Sequence, residues 1–246
     1  MANDKKVALV TGANRGIGLE TARQLGQQGI TVVVAARSQA AADETTARLK
    51  AEGVDAVAVK LDVTNAADRA AAAKTIGDKF GKLDILINNA GVGAQGDMFE
   101  LTVSETTEEE LQAVFGTNVF STVGVTRAFL PLLKKSDAGR IVNLSSILGS
   151  LTLHADPNSP IASVKTFAYD ASKSALNAFT IHLAAELKDT KIKVNSAHPG
   201  WVHTDMGGSA APMNVVEGAK TEVQLATLPE SGPTGGFFHL GEAIAW

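Results

Sequence analysis

The feature that most constrains this chain is the regular alternation of two kinds of segment. Short runs rich in Val, Ile, Leu and Ala occur at Val7–Val10, Thr31–Ala36, Val54–Leu61, Leu83–Asn88, Arg140–Leu144 and Lys193–Ala197. Between them lie stretches whose length and apolar spacing fit helices: Ile17–Gln28, Ala40–Glu52, Ala66–Phe80, Glu108–Leu133 and Phe167–Leu187. Strand–helix–strand repetition implies right-handed crossovers and therefore an α/β fold, a Rossmann-type doubly wound parallel sheet. The strand runs are almost continuously apolar, as both faces of such a sheet are covered. At 246 residues, with no internal repeat or low-complexity linker, 1–246 reads as a single domain.

Composition removes several classes of function. The net charge is −4 and the basic residues are scattered, so no nucleic-acid surface is expected. There is no cysteine, which excludes disulfides, thiolate metal sites and a cysteine nucleophile, and fits a cytoplasmic protein. The five histidines lack metal-ligand spacing, so no metal is expected. The apolar start of the chain stops at Thr11-Gly12, too short for a signal-peptide core, and no run approaches a membrane span.

The first strand runs into Thr11-Gly12-Ala13-Asn14-Arg15-Gly16-Ile17-Gly18 and then a helix. Gly12 suits a tight turn, Gly16 a close approach of backbone to a pyrophosphate, and Gly18 close helix–strand packing. The amides that open the helix, at its positive dipole end, would face the phosphates. A glycine-rich βα turn alone is a weak signal; its place after a strand and before a helix favours nucleotide binding.

The TGxxxGxG spacing resembles the short-chain dehydrogenase/reductase family, and further motifs follow in that family's order. They are Asn88-Asn89-Ala90-Gly91 after the fourth strand, Asn118, Val142-Asn143-Leu144-Ser145-Ser146, Tyr169-Asp170-Ala171-Ser172-Lys173 (YxxxK), and Pro199-Gly200 after the sixth strand. The resemblance covers essentially the whole chain. It implies a catalytic set of Asn118, Ser146, Tyr169 and Lys173, with Ser145 the alternate serine. It also implies cofactor contacts from Asn14, Ile17, Ser38, Val63, Asn89, Ala90 and Gly91, and from Pro199, Gly200, Val202 and Thr204. On this reading residues 1–120 form mainly the cofactor half, and 140–246 mainly the catalytic and substrate half. Asp62 matches the family's adenine-contacting aspartate, and equally fits a helix N-cap.

Cofactor choice follows from charge. NAD-binding units of this type place a carboxylate near the end of the second strand to bind the ribose 2′-hydroxyl. Here that strand ends Val34-Ala35-Ala36-Arg37-Ser38, with no carboxylate. Arg37 and Arg15 together suit a 2′-phosphate, so the expected cofactor is NADPH/NADP+.

Tyr169 and Lys173 stand at i and i+4, on one helix face. A free phenol ionises near 10; an ammonium about 5 Å away in a dielectric of about 20 stabilises the phenolate by roughly 3 kcal/mol. The expectation is a Tyr169 pKa lowered towards neutrality. Ser146 would donate to the substrate oxygen and share its developing charge. Asn118 would hold a water joined to Lys173, as the resemblance implies, or satisfy buried backbone groups. Lys173 would also bond the nicotinamide ribose.

Twenty-two residues, Ile147–Ala168, separate Ser146 from Tyr169, and include His154-Ala155-Asp156-Pro157-Asn158-Ser159-Pro160. This irregular excursion resembles the longer insertion of the carbonyl reductase branch, as do Pro199-Gly200-Trp201-Val202, Thr204-Asp205-Met206 and the tail ending at Trp246. Trp201 either walls the substrate pocket or anchors the loop after Pro199, which reads as long and mobile. The expected activity is NADPH-dependent reduction of aldehyde or ketone carbonyls. The alternatives are a 3-oxoacyl reductase on the same fold and a non-catalytic NADP-binding regulator. The partner is a small carbonyl compound, with monomer and homo-oligomer both open.

Overall fold

The computed structural model describes residues 5–93 and 102–246. Met1–Asp4, the first residues of the segment read above as lacking a leader, lie outside the described residues. One eight-stranded sheet organises the chain. Its strands are β1 (Val7–Thr11), β2 (Thr31–Ala36), β3 (Ala56–Lys60), β4 (Ile85–Asn88), β5 (Arg140–Leu144), β6 (Lys193–Ala197), β7 (Phe237–His239) and β8 (Glu242–Ala243), in the spatial order β3-β2-β1-β4-β5-β6-β7-β8. Pairing is parallel from β3 through β7. The terminal β7–β8 pair is antiparallel.

The continuously apolar strands are explained by two separate cores. In β1 and β2, Val7, Leu9, Val33 and Ala35 point into one core, whereas Ala8, Val10, Val32 and Val34 point into the other. Helices α1 (Gly16–Gln27), α2 (Gln39–Ala51), α3 (Ala66–Phe80), α4 (Glu108–Phe115), α5 (Ser121–Leu133), α6 (Leu151–Ala155), α7 (Phe167–Glu186), α8 (Val215–Gly218) and α9 (Lys220–Ala226) complete the structure. Strand order reverses between β1 and β4, and a fold of this kind binds its ligand at such a switch point, beyond the carboxyl ends of the strands.

Three differences from the sequence reading bear on the site. The stretch 108–133 is not one helix: a π-helical turn, Gly116–Phe120, separates α4 from α5 and carries Asn118. Such turns frequently mark functional positions, because one extra residue re-aims the side chains around it. The region after Pro199, read as a long mobile loop, is bonded to itself at several points. Val202 bridges Met213, the Trp201 indole N–H donates to the Gly207 carbonyl (2.8 Å), and Asn214 with Glu217 forms a reciprocal cap on α8. The Gly/Pro-rich tail supplies the edge pair β7–β8.

Candidate active site

The caps of the early helices differ in a telling way. Ser38, Asn65 and Thr107 accept backbone N–H bonds at the starts of α2, α3 and α4. Arg15 precedes α1 without any side-chain cap, so the first-turn amides of Gly16, Ile17 and Gly18 remain for a ligand. Gly12 and Gly16 hold left-handed φ of 63° and 56°, which only glycine adopts readily. A Cβ on Gly18 would collide with the Asn89 amide and lie 2.7 Å from the Gly12 carbonyl. Gly18 therefore serves a contact with the Asn89 side chain.

Asn89 and Thr11 lock this turn. The Asn89 side-chain amide donates to the carbonyls of Thr11 (2.7 Å) and Gly12 (3.2 Å). The Thr11 hydroxyl accepts from the backbone N–H groups of Asn89 and Ala90, both at 3.0 Å, and donates to the Ile87 carbonyl. Asn89, predicted as a cofactor contact, thus spends its side chain on the turn. Thr11 was missed as a functional position, since a threonine ending a strand gives no sign of this double acceptor role.

An open cleft of about 610 Å³ runs from this turn across the strand ends. Gly12, Arg15, Gly16, Ile17, Gly18, Arg37, Asp62, Val63, Asn89, Ala90, Gly91, Ser145, Tyr169, Lys173, Pro199 and Thr204 line it. Asn14 is exposed outside it, and Ser38 caps α2. Val202 is buried, and Gly200, at φ 87°, lies against Met213. Trp201 holds the loop through Gly207 and does not line the cleft. Asp62 is not the cap of α3: that is Asn65, whereas Asp62 accepts from the backbone N–H (2.9 Å) and hydroxyl (2.7 Å) of Thr64.

Arg37 is exposed at the cleft mouth, and no carboxylate follows β2. Arg15 is ion-paired to Asp205 across the mouth, and both side chains are largely exposed. Exposed pairs contribute about 0–1 kcal/mol, so a dianionic phosphate can displace Asp205.

At the inner end, Tyr169 and Lys173 project from α7. Lys173 is buried; its ammonium donates to the Leu144 carbonyl at 2.7 Å and lies 5.5 Å from the Tyr169 ring centre. Burial pushes the lysine down to about 8, opposed by the charge of Glu222. Burial also pushes the Tyr169 phenol up to about 12, against the pull of the nearby Ser146 hydroxyl, and the Asp170 charge adds to the rise. The expected lowering of Tyr169 is therefore not found. Desolvation outweighs the Ser146 hydrogen bond, and Lys173 loses its own proton before the phenol would ionise.

Ser146 caps the short turn Ile147–Gly149, accepting from the Leu148 N–H at 3.2 Å. Neighbouring Ser145 reaches the cleft, and its buried hydroxyl has no partner among the described residues. The Asn118 amide is committed as well: it accepts from the Val92 N–H (2.9 Å) and donates to the Val92 carbonyl (2.9 Å) and the Ser172 hydroxyl (3.0 Å). It pins the chain leaving β4 to α7. A buried glutamate, Glu222 on α9, was also missed, because nothing in Lys220-Thr221-Glu222-Val223 distinguishes it from a surface residue. Among the described residues no acidic or histidine cluster could hold a metal, and no helix is long and apolar enough to cross a membrane.

Comparison with known proteins gives this geometry a lineage. Residues 6–214 match the model of the short chain dehydrogenase family. The short-chain dehydrogenase anuI of Penicillium roqueforti is 38% identical, covering 91% of this chain and 89% of its own. The 3-oxoacyl-[acyl-carrier-protein] reductase of Synechocystis is 37% identical over 82% of this chain and 76% of its own. The NADPH-bound carbonyl reductase from chicken fatty liver superposes with a TM-score of 0.85 at 31% identity, covering 98% of this chain and 99% of that one. The family match and the identity to the Penicillium roqueforti relative show that the chain belongs to the short-chain dehydrogenase family.

Proposed function

We propose that this protein reduces aldehyde or ketone carbonyls to alcohols with NADPH as reductant, and runs the reverse oxidation with NADP+. The observation that carries the reading is one cleft with two chemically distinct ends. Uncapped helix amides and two arginines stand at one end, with a half-buried tyrosine and a buried lysine at the other. The phosphate end suits NADPH in particular: the exit from β2 offers Arg37 and no carboxylate.

The residues that would hold the cofactor are the amides of Gly16–Gly18 for the pyrophosphate, and Arg37 with Arg15 for the 2′-phosphate. Asp62 and Val63 flank the adenine end, and Ala90, Gly91, Pro199, Thr204 and Lys173 the nicotinamide end. When bound, NADPH supplies the hydride.

The protein's own part is proton transfer and charge placement. Tyr169, held protonated by burial, donates from Oη to the carbonyl oxygen as charge develops there. Ser146 hydrogen-bonds the same oxygen and fixes it against the phenol. Lys173, held near 8, is mainly cationic at neutral pH, and its field stabilises the transient phenolate before Nζ helps return a proton. Asn118 keeps the Val92 backbone and α7 in register beneath these groups.

The Synechocystis relative supports a second reading, reduction of thioester-linked 3-oxoacyl groups. A substrate panel followed by loss of NADPH absorbance decides. Turnover of simple ketones and aldehydes supports the first reading, and exclusive use of thioester-linked substrates the second. Absence of NADPH oxidation with either class refutes both.

A further inference from the structure

The excursion between Ser146 and Tyr169 is unusual in what it buries. His154, on α6, is mostly covered. Its Nε2 lies 2.9 Å from the Leu148 carbonyl and 3.4 Å from the Asp170 carboxylate. Its Nδ1 lies 3.0 Å from the Lys165 ammonium, which also donates to the His154 carbonyl at 3.3 Å. A carbonyl only accepts and an ammonium only donates, so the two neighbours dictate the imidazole's protons. Nε2 carries hydrogen, Nδ1 is an acceptor, and the ring is neutral.

The positions of those neighbours give the contact its meaning. Leu148 is two residues beyond Ser146 and donates its N–H to the Ser146 hydroxyl. Asp170 directly follows Tyr169, and its carboxylate accepts from the Thr166 N–H (2.9 Å) and hydroxyl (2.6 Å), closing the first turn of α7. Nε2–H thus bonds the turn that presents the serine and lies 3.4 Å from the carboxylate on the turn that presents the tyrosine. The excursion has further anchors: the Thr152 N–H donates to the Trp246 carbonyl (2.9 Å), and the Ser159 hydroxyl to the Leu153 carbonyl (2.5 Å). Burial pushes the Asp170 carboxyl up, while the Thr166 hydrogen bonds and the Lys165 charge hold it down.

We propose that His154 is a positioning residue, clamped by Lys165 in its neutral Nε2–H form, which holds Ser146 and Tyr169 at a fixed separation through Leu148 and Asp170. The role rests on the carbonyl-reduction reading above. A shift of the serine relative to the phenol would misplace the substrate oxygen between them, and losses of this kind fall on the chemical step.

The test combines one spectroscopic and one kinetic measurement on the full chain. Imidazole nitrogen NMR of the wild type, with the His154 signals assigned by their loss in His154→Gln, should show a neutral Nε2–H ring at neutral pH. Lys165→Met should abolish that preference. In NADPH-coupled turnover, His154→Phe, which keeps a ring but loses both polar atoms, should lower kcat about ten-fold or more with the KM for NADPH unchanged. His154→Gln places a side-chain N–H near the position of Nε2 and should recover most of that loss.

An Nδ1–H or cationic His154 at neutral pH overturns the clamp, and so does a folded His154→Phe protein with unchanged kcat. If no carbonyl compound is reduced, the functional reading fails and the NMR result still decides the tautomer. If His154→Phe does not fold, Lys165→Met carries the kinetic test, with reduced kcat expected and wild-type kcat contradicting the proposal.

Discussion

Glu222 offers a quantitative probe of the interior. Its side chain is fully buried; one carboxyl oxygen is bonded by the Thr21 hydroxyl of α1 and the other has no partner among the described residues. Burial pushes the carboxyl from 4.5 up to about 7, against the opposing effects of Thr21 and Lys173. The native state therefore holds a proton that the unfolded chain has released between those values. Stability from this group is fully present below about pH 4.5 and is lost as pH rises through about 7. The full loss is about 3 kcal/mol, by the standard conversion of 1.36 kcal/mol per pH unit. Glu222→Gln keeps the shape and removes the ionisation. Urea unfolding of both proteins at about pH 5 and about pH 8 should give similar stabilities at the lower pH and a variant more stable by roughly 2–3 kcal/mol at the higher. Titration of His198, set by burial and His239, cancels to first order in this comparison. An identical pH dependence in the two proteins would show that Glu222 is not a buried acid.

Three further outcomes are expected. Arg37→Asp should weaken NADPH about 10–100-fold in kcat/KM while sparing NADH, because a carboxylate repels a 2′-phosphate and accepts from a 2′-hydroxyl; an unchanged cofactor preference would contradict the charge argument. Gly18→Ala should push the Asn89 amide off the Gly12 carbonyl at a cost of about 1–3 kcal/mol, seen as weaker NADPH binding in fluorescence titration; wild-type affinity would show that the turn tolerates the methyl group. Tyr169 is the single tyrosine, and with its phenol held at about 12, phenolate absorbance should be absent from the folded protein up to about pH 10, with circular dichroism confirming the fold. A lower midpoint would mean that the lysine outweighs burial.

What could be read from the sequence was whatever depends on neighbours along the chain. The first six strands, the glycine turn and the Tyr169/Lys173 spacing are local patterns, and the structure places them within a residue or two of the expected bounds. The π-helical turn at Gly116–Phe120 was hidden because one extra residue scarcely disturbs an apolar period spanning 108–133. Strands β7 and β8 were hidden in a Gly/Pro-rich tail, where β7 forms only against β6 and β8 only against β7. The Tyr169 environment failed for a different reason. The i,i+4 spacing gave the lysine's reach, but not the Leu144 carbonyl that claims it or the burial that raises the phenol. Glu222 is the extreme case, since its partner Thr21 lies 201 residues away.

The central claim is that Tyr169 is the proton donor to a substrate carbonyl. Its most direct test is the rate of NADPH oxidation with a saturating simple ketone in wild type and in Tyr169→Phe, at equal NADPH affinity. The account predicts wild-type turnover and a loss of about 10²–10⁴-fold in kcat for the variant, whose ring keeps the packing but has no proton to give. A folded Tyr169→Phe protein that reduces the ketone at the wild-type rate would contradict it.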